Sequence, residues 1–279
     1  MRSTAAARHD SMLSFPNCKI NLGLRILRRR DDGYHQLETV FYPLPVRDAL
    51  ETIRSEELTF TATGLGIPGD PSTNLCLKAW HLLKKDFPEL PPVLIHLHKH
   101  IPMGAGLGGG SADGAFMLVL LNKQFRLGLS VERLLHYAAQ LGSDCPFFIL
   151  NKPCLGGGRG EELHPIDLDL SSYRLALVNP GVHIGTAWAF SQITPSDKGR
   201  SIKDIIREPV PAWKDQLIND FEAPVLRSYP ELKKIKETLY EAGAIFASMT
   251  GSGSSFFGIF EKENPPSEKH IAQLPGFLL

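Results

Sequence analysis

The chain has 279 residues, of which 43% are hydrophobic and 22% are charged, so it is long enough to form one large domain or two lobes around a buried core. Its 30 Lys and Arg residues are balanced by 30 Asp and Glu residues. Because no net charge would draw it to nucleic acid or to an anionic membrane, we expect neither as a partner and expect a small-molecule ligand instead.

Two features of the whole chain bear on its location. Residues 1–13 lack the apolar segment of a secretory signal, and we predict a disordered extension there. The four cysteines form neither a C-x-x-C pair nor a zinc-binding spacing, which is typical of reduced thiols. We therefore expect a cytoplasmic protein without disulfides.

The first predicted elements are strands. Apolar and polar residues alternate at 18–27, 49–54 and 58–63, which predicts antiparallel strands. In the first strand Lys19 shares a face with Asn21, and that face cannot be buried unless its polar groups are paired. Lys19 is either an ordinary exposed strand lysine or a functional one, and the pattern leaves both readings open.

A polar turn, Asp31-Asp32-Gly33, follows the first strand and ends in two flat side chains, Tyr34 and His35. A turn needs Asp-Gly but does not need aromatic rings. Rings on a loop suit stacking against a planar ligand, and local packing is the alternative.

Further along, Thr73 or Asn74 can cap a helix, and a strand at 93–97 leads into the most informative segment of the chain. That segment, residues 102–113, packs five glycines into seven positions before a helix that begins near Ser111. Glycine admits positive φ and close approach of the backbone, so successive N–H groups can point at an anion. The helix start adds further donors. We interpret the segment as a phosphate-binding loop, with an unusually loose strand-to-helix turn as the alternative.

The common phosphate loops do not fit this segment. Gly104-x-Gly106-x-x-Gly109 matches the dinucleotide fingerprint, but no acidic residue closes a second strand about 20 residues later. A Walker A loop needs a lysine before its Ser or Thr, whereas Gly110 directly precedes Ser111. Positive charge must therefore come from elsewhere in the chain.

The predicted helix at 130–141 ends at Gly142, just before Asp144. Asp144 precedes a near-apolar run, 145–148, that would partly desolvate its carboxylate. The residue is either a helix N-cap or a general base.

Beyond residue 155 the pattern changes, with a glycine-rich turn, a strand, mostly helical periodicity and two strands that flank a small-residue loop. The whole pattern predicts an α+β fold of two lobes with mixed or antiparallel sheets, the first at 14–160 and the second at 161–279. The ranges beyond 155 are 156–160 for the turn, 174–178 for the strand, 201–242 for the helices, and 245–249 and 255–260 for the strands around Thr250–Ser254.

The strand with Lys19, the glycine segment and the late Thr250-Gly251-Ser252-Gly253 loop resemble, in that order, the first, central and third motifs of the GHMP kinases. Further segments resemble the branch of that family that phosphorylates a cytidine-diphosphate-linked methylerythritol in non-mevalonate isoprenoid biosynthesis. The resemblance covers residues 15–260 and implies an active site in the cleft between two lobes. Because the chain ends soon after Leu274, the comparison with longer members of the family leaves open whether a final strand completes the second lobe. The segments of this chain that resemble that branch are Lys19–Leu22, Asp32–His35, Leu141–Phe148 and Asn219–Glu222.

The resemblance also implies roles for single residues. Asp144 would be the general base, and Lys19 would orient it and stabilise charge beside the γ-phosphate. Asn21 would contact the substrate near the reacting group. The cytosine ring would be held by Tyr34 and His35 on one side and by Phe190 on the other.

The same resemblance implies ATP as the phosphate donor, with the adenine near Asn74 and Lys99. Mg²⁺ would arrive with the nucleotide, and the side chain expected to approach it is Ser111, with Asp113 in the first helical turn as the alternative. The phosphates would lie along Pro102, Met103, Gly104, Ala105, Gly106, Leu107, Gly108, Gly109, Gly110 and Ser111.

Three alternatives remain open on the sequence. A homoserine-type or mevalonate-type kinase of the same family would share these motifs. A nicotinamide-binding oxidoreductase or a non-catalytic nucleotide sensor would use only the glycine loop. The sequence predicts neither the oligomeric state nor the ligands of the metal.

Overall fold

The computed structural model describes residues 11–278. Most of the predicted disordered extension, 1–10, lies outside the described residues, and for residues 11–13 that prediction is wrong because they belong to a strand. The strands are β1 (Ser11–Ser14), β2 (Asn17–Arg29), β3 (His35–Arg47), β4 (Ala49–Arg54), β5 (Thr59–Gly64), β6 (Val93–Lys99), β7 (Cys154–Gly157), β8 (Glu162–Pro165), β9 (Tyr173–Val178), β10 (Phe246–Met249), β11 (Phe256–Glu261) and β12 (Gly276–Leu278). The α-helices are α1 (Leu75–Asp86), α2 (Gly109–Gln124), α3 (Val131–Leu141), α4 (Cys145–Leu150), α5 (Thr186–Ser191), α6 (Ile202–Ile205), α7 (Glu222–Ser228), α8 (Lys233–Glu241) and α9 (Glu268–Ile271).

The chain forms two compact units, and neither is contiguous in sequence. Three stretches of the predicted first lobe, 17–46, 102–109 and 150–160, group with the C-terminal half. The lobe boundary near residue 160 stays a prediction. The first unit comprises 11–16, 47–101 and 110–149, and the second comprises 17–46, 102–109 and 150–278.

The first unit contains a four-stranded sheet in the order β1-β4-β6-β5. β4 pairs antiparallel with both β1 and β6, as the alternating pattern predicts. β5 pairs parallel with β6, so the expectation of an antiparallel strand at 58–63 is wrong. The reason is the connection, because the chain crosses from β5 to β6 through α1, and such a helical crossover joins parallel strands.

Local signals set the helix ends of the first unit. The Asn74 side chain accepts a hydrogen bond from the Cys76 amide and caps α1. Ser130 caps α3 in the same way, and α3 ends at Gly142 as predicted. The helix after the glycine loop, α2, begins two residues earlier than predicted, at Gly109.

The second unit contains two sheets, in the orders β2-β3-β7-β8 and β10-β11-β9-β12. The predicted turn at 156–160 is wrong for its first two glycines, which lie in β7. Gly156 pairs with Thr39, and a Cβ there would lie 2.6 Å from the Phe41 ring, so only glycine fits beneath that ring. The final strand that the sequence left open is present, since β12 pairs with β9.

The core of the second unit forms where α7 and α8 cover the β10-β11-β9 face. Its members include Phe221, Val225, Leu239, Phe256 and Phe260, each at most 2% exposed. This mixed α and β content is the predicted α+β fold. Across residues 11–278, the structure contains no helix with the length and apolar character needed to traverse a bilayer.

Candidate active site

Lys19 lies in β2 and is only 3% exposed, so the reading of it as an ordinary exposed strand lysine is wrong. Its ammonium donates to the side-chain oxygen of Asn21 at 2.6 Å and to the carbonyl of Gly106 at 3.0 Å. The ring of Phe41 lies 5.4 Å from the same nitrogen, in cation–π range. The structure therefore joins Lys19, Asn21 and the glycine loop, three features that the sequence predicts for the site.

Asn21 is held from several directions. Its amide nitrogen donates to the Thr39 hydroxyl at 2.9 Å, and that hydroxyl donates to the Gly23 carbonyl. Its backbone N–H donates to the hydroxyl of Thr250 at 2.9 Å. These contacts orient the amide so that its oxygen accepts from Lys19. Sequence reasoning missed Thr39, whose only signal is a polar position within an apolar strand.

The glycine loop adopts the conformation that its composition predicts. Gly104, Gly106 and Gly108 have φ values of 65°, 78° and 70°, in the left-handed region that favours glycine. Left-handed residues alternate with right-handed ones in anion-binding nests, in which successive backbone N–H groups point to one side. The loop is anchored to β2 because the Lys19 backbone N–H donates to the Leu107 carbonyl at 3.0 Å.

The predicted cytosine-binding rings are partly brought together. His35 and Phe190 stack on one another, with centroids 5.0 Å apart. Tyr34 is 55% exposed, and the guanidinium of Arg159 lies 4.7 Å from its ring centroid. Sequence reasoning missed Arg159, because it stands in a glycine run that reads only as a turn.

In the first unit, Asp144 stands between Gly142, which ends α3, and the start of α4. It is half-buried, while Cys145, Pro146 and Phe147 at the start of α4 are buried, as the apolar run predicts. Burial raises the pKa of the Cys145 thiol to about 12, although a hydrogen bond with Ser111 acts in the opposite direction. Cys145 is therefore a neutral thiol that packs beside Ser111 in the first turn of α2.

Lys99, predicted to lie near the adenine, is 1% exposed. Its ammonium forms ion pairs with Asp48 and Asp113, the latter at 2.7 Å. Burial alone would lower the pKa of Lys99, but the two carboxylates outweigh it and raise that pKa. The ammonium is thus committed to these carboxylates, and a contact between Lys99 and adenine through that group is not what the structure favours.

The two carboxylates of this buried cluster differ in their surroundings. One oxygen of Asp48 accepts from the backbone N–H groups of His100 and Ile101, at 2.6 and 2.8 Å. One oxygen of Asp113 is buried without a hydrogen-bond partner. Burial, assisted by the nearby Asp48, raises the pKa of Asp113 to about 7 against the pull of Lys99. Asp113 is therefore the member that takes up a proton.

Asn74, the other residue predicted near the adenine, uses its side-chain oxygen to cap α1, at 2.8 Å from the Cys76 amide nitrogen. Its predicted role toward a nucleotide stays a prediction, as do the roles predicted for Asp144, Phe190 and the loop from Pro102 to Ser111.

Comparison with known protein families finds two matches. The GHMP kinases N terminal domain matches residues 74–152, and the GHMP kinases C terminal domain matches residues 203–271.

Curated relatives match over nearly the whole chain. The chain is 55% identical over 256 residues to a 4-diphosphocytidyl-2-C-methyl-D-erythritol kinase from Bacteroides fragilis, which covers 90% of this chain and 93% of that protein. It is 51% identical over 260 residues to the protein of the same name from Parabacteroides distasonis, with 93% and 96% covered.

Among solved structures, a 4-(cytidine 5'-diphospho)-2C-methyl-D-erythritol kinase matches with a TM-score of 0.79 and 31% identity over 96% of this chain and 98% of that one. A homoserine kinase from Cytophaga hutchinsonii matches with a TM-score of 0.65 at 14% identity, over 100% of this chain and 96% of the other. At that identity the second likeness concerns the fold alone.

Proposed function

The chain belongs to the GHMP kinases and, within them, to the 4-diphosphocytidyl-2-C-methyl-D-erythritol kinases, and from this premise we propose its reaction. It transfers the γ-phosphoryl group of ATP to the 2-hydroxyl of 4-diphosphocytidyl-2-C-methyl-D-erythritol, in non-mevalonate isoprenoid biosynthesis. The observation that carries the proposal is the 55% identity to a kinase of that name across 90% of the chain. The homoserine kinase matches at only 14% identity and adds no support for its own substrate.

Asp144 is the proposed general base that takes the proton of the attacking hydroxyl. A base of this kind contributes on the order of 10²- to 10⁴-fold to a rate. The half-buried position of Asp144 beside the apolar start of α4 supports the role, because a base must stay partly exposed to come within hydrogen-bond reach of a substrate hydroxyl.

Lys19 is the proposed electrostatic group for the transferred phosphoryl group. Phosphoryl transfer depends on positioning and on stabilisation of charge more than on covalent chemistry. The oxygens of Asn21 and Gly106 accept from Lys19 and hold its ammonium beside the glycine loop. This arrangement supplies the positive charge that the glycine loop lacks.

ATP is the proposed occupant of the loop from Pro102 to Ser111. The left-handed glycines support an anion there, and the start of α2 adds the positive end of a helix dipole. Asn74 and the residues around Lys99 are still proposed to lie near the adenine. The ammonium of Lys99 makes no contact with it, because that group is paired with Asp48 and Asp113.

Mg²⁺ is proposed to come with the nucleotide. Mg²⁺ at kinase sites is commonly bound by one or two protein groups together with phosphates and waters. Within 11–278, no group of three His, Cys, Asp or Glu residues is arranged to hold a metal ion. The hydroxyl of Ser111, an oxygen donor in the first turn of α2, fits a metal carried mainly by phosphates.

The cytidine end of the substrate is proposed to bind at His35 and Phe190, with Tyr34 beside them and Asn21 nearer the reacting group. A base held between two rings needs centroids about 7 Å apart, twice the 3.5 Å contact distance. His35 and Phe190 are 5.0 Å apart, so substrate binding must separate them. A cytoplasmic location completes the proposal, and four buried free cysteines support it.

The direct test is mass spectrometry of the cytidylated sugar alcohol after incubation with the protein and MgATP. We expect a gain of one phosphate group, with homoserine and mevalonate left unmodified. Phosphorylation of homoserine or mevalonate instead would support the other kinase types. Saturable NAD binding without ATP binding would indicate an oxidoreductase, and ATP binding without transfer would indicate a sensor.

A further inference from the structure

Two groups that accept hydrogen bonds from the Lys19 ammonium, the Asn21 side chain and the Gly106 carbonyl, are themselves joined by a third residue, Thr250. The hydroxyl of Thr250 accepts from the backbone N–H of Asn21 at 2.9 Å and donates to the carbonyl of Gly106 at 3.4 Å. Lys19 donates to the side chain of that same Asn21 and to that same carbonyl. One hydroxyl thus links these two acceptors of the ammonium.

Thr250 is fully buried, and its backbone is held on both sides. The side-chain amide of Asn219 donates to the carbonyls of Met249 and Gly251, each at 2.9 Å, and its oxygen accepts from Phe221 N–H. Asn219 is 1% exposed, and these three bonds fix its orientation. The carbonyls of the two residues on either side of Thr250 are therefore both held by one buried amide.

The Thr250 loop and the glycine loop pack backbone against backbone. A Cβ at Gly106 would lie 2.2 Å from the Thr250 carbonyl oxygen, and a Cβ at Gly251 would lie 3.0 Å from the Gly106 Cα. Because the two backbones are in direct contact at Gly106, a shift of Thr250 is passed to the Gly106 carbonyl.

We propose that Thr250, clamped by Asn219, is a positioning residue that sets where the Lys19 ammonium lies relative to the transferred phosphoryl group. The inference rests on the proposed function, because that function gives Lys19 its role. Misplacing a catalytic group by about 1 Å can cost on the order of 10²-fold in rate, because the group then stabilises the transition state less well. Loss of the Thr250 hydroxyl should therefore lower kcat while leaving the KM for ATP and for the cytidylated substrate within about twofold.

The test compares T250V, which replaces the hydroxyl by a methyl group of similar size, with T250S, which keeps it. The control is T238V, which removes a buried hydroxyl from α8. We expect kcat to fall about 10- to 100-fold in T250V, with recovery to within a few-fold of wild type in T250S. T238V should keep the wild-type kcat. N219D, whose carboxylate cannot donate to the Met249 and Gly251 carbonyls, should lower kcat as T250V does.

Thermal melting and ATP titration confirm that each variant is folded, and T250A takes the place of T250V if the valine variant does not fold. The inference is overturned if T250V keeps a kcat within twofold of wild type, or if T250S is as slow as T250V. A loss confined to melting temperature, with kcat unchanged, also overturns it. These results are separate from the proposed function, which fails only if the wild-type protein does not phosphorylate the cytidylated substrate.

Discussion

His35 and Phe190 stack on one another with their ring planes inclined by 17°, although they are separated by 155 positions in the sequence. Phe190 also meets Phe221 edge-on at 4.9 Å, so the stacked pair rests on the core of the second unit. A planar ligand that separates these rings exchanges one stacking contact for two. The pair is therefore suited to hold an aromatic base between its rings. Without a ligand, the two rings cover one another.

The first prediction concerns this pair. F190L keeps an apolar side chain but removes the ring, and stacking of a base on an aromatic side chain is worth about 1–3 kcal/mol. We expect the KM for the cytidylated substrate to rise about 5- to 150-fold, with the KM for ATP unchanged. Steady-state kinetics with each substrate varied in turn provide the measurement. An equal rise of both KM values would place Phe190 outside the cytidine site.

The second prediction concerns Gly106. G106A should abolish most activity, because a methyl group there meets the Thr250 carbonyl at 2.2 Å and the residue has a φ of 78°. The matched control is G128A, since Gly128 has a φ of 70° and open space around its Cβ position. The control bears the same backbone strain, about 1–2 kcal/mol, without the clash.

Melting temperatures and kcat for both glycine variants provide the measurement. We expect both proteins to melt at a lower temperature than wild type, while only G106A loses kcat, by about 10²-fold. Equal kcat in the two variants would show that the close approach of the two loops does not matter for the reaction.

The third prediction concerns pH and Asp113. Burial, with the help of Asp48, raises the pKa of Asp113 from 3.8 to about 7 in the folded protein. Between these values the folded state holds a proton that the unfolded state has lost, so the free energy of unfolding falls as pH rises through this window. In D113N this contribution is absent, and the dependence between pH 4 and pH 7 should flatten.

Urea unfolding at several pH values measures this effect, with D204N, at an exposed position of α6, as the control. The control should keep the wild-type slope. Parallel curves for wild type and D113N would contradict the assignment of the proton to Asp113.

The sequence predicts those parts of the fold that depend on neighbouring residues. Asn74, Ser130 and Gly142 mark helix ends through contacts within four positions, so the ends of α1 and α3 follow from the sequence alone. The parallel pairing of β5 escapes prediction because it depends on a crossover of about 30 residues.

The candidate site likewise has features that can be predicted from neighbouring residues and features that depend on residues far apart in the sequence. The glycine loop and Lys19 can be found from the sequence, but the burial of Lys19 cannot, since its acceptor Gly106 lies 87 positions away. Thr250 contacts Asn21 across 229 positions. Lys99 is predicted to lie near the adenine, but in the structure its ammonium is paired with Asp48, 51 positions away.

The central claim is that a carboxylate at position 144 acts as the base of a phosphoryl transfer to the cytidylated sugar alcohol. D144N keeps the size of the side chain and removes its basicity. K19A is the companion variant, and it removes the positive charge at position 19. Phosphorylated product is quantified by mass spectrometry after incubation with MgATP, and ATP binding is measured by calorimetry on the same preparations. We predict ATP binding close to that of wild type and a turnover lowered by about 10²- to 10⁴-fold in D144N. A D144N protein that turns over within tenfold of wild type would contradict the account.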